Sequence, residues 1–189
     1  GYLICLAGIY ETYPVTEADP EHFRKIMSVN LHGVTVLIQA LLSPLIRNRG
    51  RVIVVSSESY RVQALFQPYM ISKAALEAYC TTARQELALK GVRLSVIRPG
   101  AIRTPLLDWM NRPVDESRFP VYAAEWKKSR EQSLRLVGRI SPPEKVAKLI
   151  VKASTADCPK RIYRINNNPL LKLIAILPGW LTDRLIISR

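Results

Sequence analysis

Arg51-Val52-Ile53-Val54-Val55-Ser56 is the stretch on which the fold turns. Four β-branched apolar residues in succession, with no polar alternation, read as a strand buried on both faces, the kind found inside a parallel sheet. Forward of it, residues 57–67 read as a loop. Pro68 then opens a helix, where its missing amide costs nothing because the first helical N–H groups have no intrahelical partner. Ala74, Ala75, Leu76, Ala78 and Leu87 are good helix formers, and Gly91 closes the segment. Residues 92–98 form the next apolar strand, stopped by Pro99-Gly100. Backward, the apolar run 2–7 ends at Gly8 and is expected to be another strand buried on both faces.

Between those strands, Asp19-Pro20-Glu21 has the composition of a helix N-terminus, with Asp as N-cap and Pro in the first turn. Apolar residues from Phe23 to Leu45 keep helical spacing to about residue 47. A single helix over 20–47 is long for a globular domain, so an irregularity is expected near Asn30, where Ser28, Asn30 and Gly33 weaken the run. Farther on, 121–137 reads as a short helix and Ser141-Pro142-Pro143-Glu144 as a capping box opening a helix over 144–153. Residues 161–165 form a last short strand. Strand, helix and strand alternating at this spacing imply right-handed crossovers and a parallel α/β sheet.

The 189 residues, 48% hydrophobic, suffice for one sizeable core. Lys and Arg total 28 against 15 Asp and Glu, a net charge of +13 that suits an anionic cofactor, nucleic acid or anionic membrane surface. The basic clusters at 47–51, 127–130 and 160–164 carry no interleaved aromatic stripe and no nucleic-acid module, so nucleic acid is not the expected partner. Cys5, Cys80 and Cys158 lack Cys-x-x-Cys spacing and suit free thiols in a reducing compartment. His22 and His32 have no evident ligand partners, so no metal site is expected.

In parallel sheets, ligands bind beyond the carboxyl ends of the strands. Gly8, Ser56-Ser57 and Pro99-Gly100 fall there. Tyr69 and Lys73, four apart, share one face of the Pro68 helix. A cation beside a phenol favours phenolate and is expected to lower the tyrosine pKa toward neutrality, as general acid–base work requires. Taken alone, Tyr-x-x-x-Lys recurs by chance. Residues 101–140, with Trp109, Met110, Tyr122 and Trp126 among charges, read either as a substrate-covering segment or as packing against the sheet edge.

The ordered set Val29-Asn30-Leu31-x-Gly33, Ser56-Ser57, Tyr69-x-x-x-Lys73 and Arg98-Pro99-Gly100-x-x-x-Thr104 resembles the short-chain dehydrogenase/reductase family, and within it the retinol- and hydroxysteroid-dehydrogenase-like branch. The likeness runs from residue 2 to about residue 165. It implies a partial Rossmann-like, doubly wound parallel sheet with helices on both faces. It also implies NAD or NADP as cofactor and a small-molecule alcohol or carbonyl as substrate, with steroid-, retinoid- or lipid-like compounds as the apolar possibilities. By this resemblance Tyr69 is the acid–base residue, and Lys73 lowers its pKa and bonds the nicotinamide ribose. Ser57 orients the substrate oxygen, although it lies one residue closer to Tyr69 than is commonest in the family; Ser56 and Ser59 are weaker candidates. Asn30 holds the helix irregularity and a water of the proton relay. Ala7 and Gly8 border the adenosine, and Pro99, Gly100, Ile102 and Thr104 form the nicotinamide-contacting turn.

Two departures accompany the resemblance. The family's Asn-Asn-Ala-Gly is here Cys5-Leu6-Ala7-Gly8, which loses both amides. No Gly-rich pyrophosphate turn occurs among the eight glycines, and the likeness starts at the family's fourth strand. Residues 1–168 therefore read as the carboxyl-terminal part of a dinucleotide-binding domain and 169–189 as a hydrophobic tail. Two other readings share these residues: a nucleotide-sugar epimerase or dehydratase of the extended branch, and a binding protein that keeps the fold without turnover. The tail is broken by Lys172, Pro178, Asp183 and Arg184, too short an apolar run to span a bilayer. It either packs on the substrate cleft or a subunit interface, or lies in a membrane surface with Lys172, Arg184 and Arg189 toward anionic headgroups. A homo-oligomer, cytoplasmic or peripheral on an intracellular membrane, is the expected setting.

Overall fold

The computed structural model describes residues 1–62, 64–113 and 115–187, with the side chains of Trp109 and Asn111 excepted; Arg189 and the Trp109 side chain thus lie outside the described residues. The chain runs β1 (Tyr2–Cys5), α1 (Pro20–Met27), a π turn (Ser28–His32), α2 (Gly33–Ala40), α3 (Leu42–Arg47), β2 (Arg51–Val55), a 3₁₀ turn (Glu58–Arg61), α4 (Pro68–Ala88), β3 (Arg93–Pro99) and α5 (Pro105–Asn111). A 3₁₀ turn (Glu116–Arg118), α6 (Ala123–Arg135), α7 (Pro143–Thr155), β4 (Ile162–Ile165), α8 (Pro169–Ile174) and α9 (Gly179–Ile187) complete it.

The four strands are parallel in the order β1-β2-β3-β4, with Leu3 opposite Val52, Val52 opposite Leu94 and Val96 opposite Ile162. Helices cover both faces. On one, Leu3, Cys5, Val52, Val54, Leu94 and Val96 pack against Val34 and Ile38 of α2, Leu45 of α3, and Leu76, Cys80 and Leu87 of α4. On the other, Ile53, Ile97 and Tyr163 pack against Val146, Leu149, Ile150 and Ala153 of α7. β2 and β3 are buried on both sides, as their apolar runs require. β1 is not, contrary to expectation: its Leu3 and Cys5 face the core, whereas Tyr2 and Ile4 are exposed. The reason is reach, because α7 lies across β2, β3 and β4.

The long segment 20–47 breaks where its composition weakens. Asp19 caps α1 by accepting the Glu21 N–H, and the π turn carries Asn30 at its centre. A second break at Leu41 follows from Pro44, which lacks the amide that would bond the Ala40 carbonyl. Gly91 takes φ +74° just past α4, a left-handed position suited to glycine. The capping box does not form. α7 begins at Pro143 with Pro142 before it and no side-chain cap. Ser141 is instead pulled against the turn after β3, its N–H donating to Ala101 O (3.0 Å) and its carbonyl accepting from Arg103 N–H (2.9 Å). No helix among the described residues is long and apolar enough to cross a membrane.

Candidate functional site

The carboxyl ends of β1, β2 and β3 open into a cavity of about 510 Å³. Gly8, Ser57, Tyr69, Lys73, Pro99, Gly100, Ile102 and Thr104 all line it, so these widely separated residues share one space. Ala7 is not among the lining residues. Asn30 lies fully buried behind the wall, and its side chain is a clamp. Its Oδ1 accepts the Ile9 N–H (2.8 Å), while Nδ2 donates to Ile9 O (3.0 Å) and to Ser72 Oγ (2.9 Å). Ser72 in turn donates to Tyr69 O (2.7 Å). The π turn thereby fastens the chain leaving β1 to the first turn of α4, where Tyr69 sits.

Ser57 caps the 3₁₀ turn that begins at Glu58; its Oγ accepts the Ser59 N–H (3.2 Å) and lies 2.9 Å from Ser59 Oγ. Its hydroxyl also acts on the Tyr69 phenol, pulling that pKa down. Ser56 Oγ, by contrast, is buried without a partner among the described residues. Of the two serines, Ser57 is the one that bears on the Tyr69 phenol electrostatically.

The electrostatics run against the sequence expectation. Burial pushes the Tyr69 pKa up to about 12, more than the Ser57 hydrogen bond pulls it down, and Tyr10, whose ring lies 5.0 Å away, adds to the rise. Lys73 does not lower it. Its ammonium stands 5.7 Å from the Tyr69 ring centre, donates to Val55 O (3.3 Å), and is itself depressed to about 8 by burial, with Cys80 and Glu77 acting in the opposite direction. Desolvation outweighs the cation–phenol attraction here. A phenol that keeps its proton at neutral pH can serve as a hydrogen-bond and proton donor.

Burying Lys73 has a consequence for stability. Below pH 8 the lysine is charged in both folded and unfolded chains, and its burial penalty is fully present. Between pH 8 and 10.5 the unfolded chain binds more protons, so wild-type stability rises relative to a chain without the group. Lys73→Met is therefore expected to be the more heat-stable form at pH 7, with its advantage shrinking as pH climbs from 8 to 10.5. Paired melting curves across that range check this; a constant offset would contradict the depressed lysine.

Several site residues were not anticipated. Glu77, one helical turn after Lys73, forms a buried two-point ion pair with Arg98, Nε to Oε1 at 2.8 Å and Nη2 to Oε2 at 2.7 Å. The Arg98 guanidinium also lies 4.1 Å over the Tyr60 ring. This pair ties α4 to the end of β3, just ahead of Pro99-Gly100. Asn166-Asn167-Asn168 cross the same turn: Asn166 Nδ2 donates to Ala101 O (2.9 Å), Asn167 Nδ2 to Arg98 O (2.9 Å), and the Asn168 N–H to the Glu58 carboxylate (2.6 Å). The crossing is so close that a Cβ on Gly100 would stand 2.0 Å from Asn166 O. The spacing of Glu77 from Lys73 and the run of three asparagines after β4 are the signals in the sequence that point to them.

Residues 1–114 match the short chain dehydrogenase family. The chain belongs to that family. It is 40% identical over 106 residues to the NADPH-dependent 1-acyldihydroxyacetone phosphate reductase of Schizosaccharomyces pombe, covering 56% of this chain and 36% of that protein. To human retinol dehydrogenase 16 it is 34% identical over 144 residues, covering 69% of this chain and 45% of the relative. The chain thus spans about a third to a half of these relatives' length. Among solved structures, a short-chain dehydrogenase from Streptomyces avermitilis superposes with a TM-score of 0.73 at 20% identity, covering 100% of this chain and 70% of that one. A short chain dehydrogenase from Burkholderia cenocepacia in complex with NADP gives 0.67 at 25% identity, covering 99% and 66%.

Proposed function

We propose that the protein carrying this chain interconverts an apolar secondary alcohol and its carbonyl compound with NAD or NADP. The observation that carries this reading is the meeting of Ser57, Tyr69 and Lys73 on one wall of a largely apolar cavity. The residues present fit the nicotinamide–ribose end of a dinucleotide. Lys73 is a buried ammonium with Val55 O as its one hydrogen-bond acceptor among the described residues, leaving donor capacity for ribose hydroxyls. A Cβ on Gly8 would touch Lys73 Nζ at 3.5 Å, so a longer side chain there would occupy the space beside the ammonium. Pro99, Gly100, Ile102 and Thr104 supply the facing wall.

The dinucleotide, when bound, supplies or accepts the hydride. In reduction, Ser57 holds the carbonyl oxygen and Tyr69 donates its proton to that oxygen as hydride reaches the carbon. In oxidation, Tyr69 takes the alcohol proton. Lys73 holds cofactor hydroxyls. Leu106, Leu107 and Met110 of α5 and Leu171 of α8 face the cavity, which supports residues 101–140 as a substrate-covering segment and the tail as part of the cleft wall. Ile176, Trp180 and Ile187 are exposed, which supports a further role of the tail against a membrane surface or a second subunit.

The full-length protein, supplied with NADH or NADPH and steroid- or retinoid-type carbonyl compounds, is expected to oxidise the cofactor in step with substrate loss. Dinucleotide binding without turnover would favour the binding-protein reading. Turnover of a nucleotide sugar instead would favour the epimerase or dehydratase.

A further inference from the structure

Among the described residues that line the cavity, Glu58 is the one carboxylate, directly after Ser57. Its Oε2 accepts the Asn168 N–H (2.6 Å), and its Oε1 lies against Gly100, where a Cβ would stand 2.8 Å from it. Burial pushes the Glu58 pKa up, more than the Asn168 N–H and the Asn167 side chain pull it down. A half-buried carboxylate is thus kept in a largely apolar wall with its desolvation only partly offset.

What Glu58 holds follows from Asn168. That residue is the N-cap of α8: its Oδ1 accepts the Leu170 N–H (2.9 Å), while its Nδ2 donates to Leu136 O (3.1 Å) just past α6. In a capping box, the side chain three places after the cap reaches back to the cap's own N–H. Here that place is Leu171, which carries no acceptor and lines the cavity instead. Glu58, 110 positions earlier in the chain, supplies the acceptor. One carboxylate thereby joins the turn carrying Ser57 to the end of α6 and the start of α8. Leu136, Val137 and Gly138 from the first of these segments and Leu171 from the second all line the cavity.

We propose that Glu58 is a positioning residue for the substrate: acting through Asn168, it holds Leu136 and Leu171 in the cavity wall and so sets the preference for long apolar chains over short ones. This rests on the oxidoreductase reading above. The bond runs to a main-chain N–H, so it fixes where α8 starts, and an ionised acceptor makes it stronger than a neutral one would.

Two measurements on the full-length protein test this. In amide hydrogen exchange, Glu58→Ala should speed exchange at residues 172–175, which close α8, by about tenfold or more, the worth of a charged hydrogen bond. The amides of β2 and β3 should keep their wild-type rates. In steady-state kinetics with decan-2-one and butan-2-one, Glu58→Ala should lower the ratio of their kcat/KM values by about tenfold, through KM rather than kcat. That is what uncovering one to two methylenes costs. Glu58→Gln keeps an oxygen acceptor and should restore the ratio to within about threefold of wild type. Leu171→Ala, which leaves the tie and shortens the cover, should lower the ratio as well, and serves if Glu58→Ala does not fold. Wild-type exchange at 172–175 in folded Glu58→Ala would overturn the proposal. So would an unchanged ratio in either alanine variant, or a glutamine variant no better than alanine. A protein that turns over neither ketone counts against the oxidoreductase reading alone. The exchange rates, with the ratio of decan-2-ol to butan-2-ol affinity by calorimetry and the same expected drop, then decide this inference.

Discussion

Tyr69→Phe in the full-length protein is expected to slow carbonyl reduction by about 10²- to 10⁴-fold, the usual worth of a positioned acid–base group, with dinucleotide affinity nearly unchanged. The substitution removes the hydroxyl and keeps the ring. That ring packs with Tyr10 and Ile26, and the bond from the Ser72 hydroxyl to the Tyr69 carbonyl is untouched. The fold should therefore survive, and the lost rate should report the proton alone. Single-turnover measurements with saturating cofactor check this. A rate within twofold of wild type would remove Tyr69 from the chemistry.

The second large effect is on stability. Glu77→Ala is expected to destabilise the protein by about 3–5 kcal/mol, the cost of leaving a buried charge without its partner. Glu77 and Arg98 are both almost wholly buried and joined at two points. The double variant Glu77→Leu with Arg98→Met removes both charges and should recover most of the loss, since apolar replacement of a buried pair is often near neutral. Denaturant unfolding of the single and double variants separates these outcomes. A double variant as unstable as Glu77→Ala would show that packing around Tyr60, not charge pairing, dominates the site.

The parallel sheet was legible because Val52–Val55 and the apolar run 92–97 are buried on both faces, and burial of that kind is written directly in composition. The break near Asn30 was legible too, because weak helix formers accumulate there. Tyr69 and Lys73 were readable from helical spacing, and the structure puts both in one cavity with Ser57. The direction of the Tyr69 shift was not readable. Sequence spacing shows that a cation is near, whereas desolvation depends on everything packed around the phenol, including Tyr10 from another segment. β1 misled for a similar reason: whether Tyr2 and Ile4 are covered depends on the reach of α7, a helix more than a hundred residues later. Ser141 misled because a cap and a bridge to the turn after β3 compete for one residue, and tertiary pairing won.

Hydride transfer itself is most directly tested by isotope. The full-length protein, given NADPH or NADH deuterated at the transferring carbon of the nicotinamide, should deliver deuterium to the carbinol carbon of the product alcohol. It should do so from one face of the ring only, and Tyr69→Phe should suppress the reaction without changing which face donates. Product alcohol formed without deuterium from either face would contradict the proposed reaction.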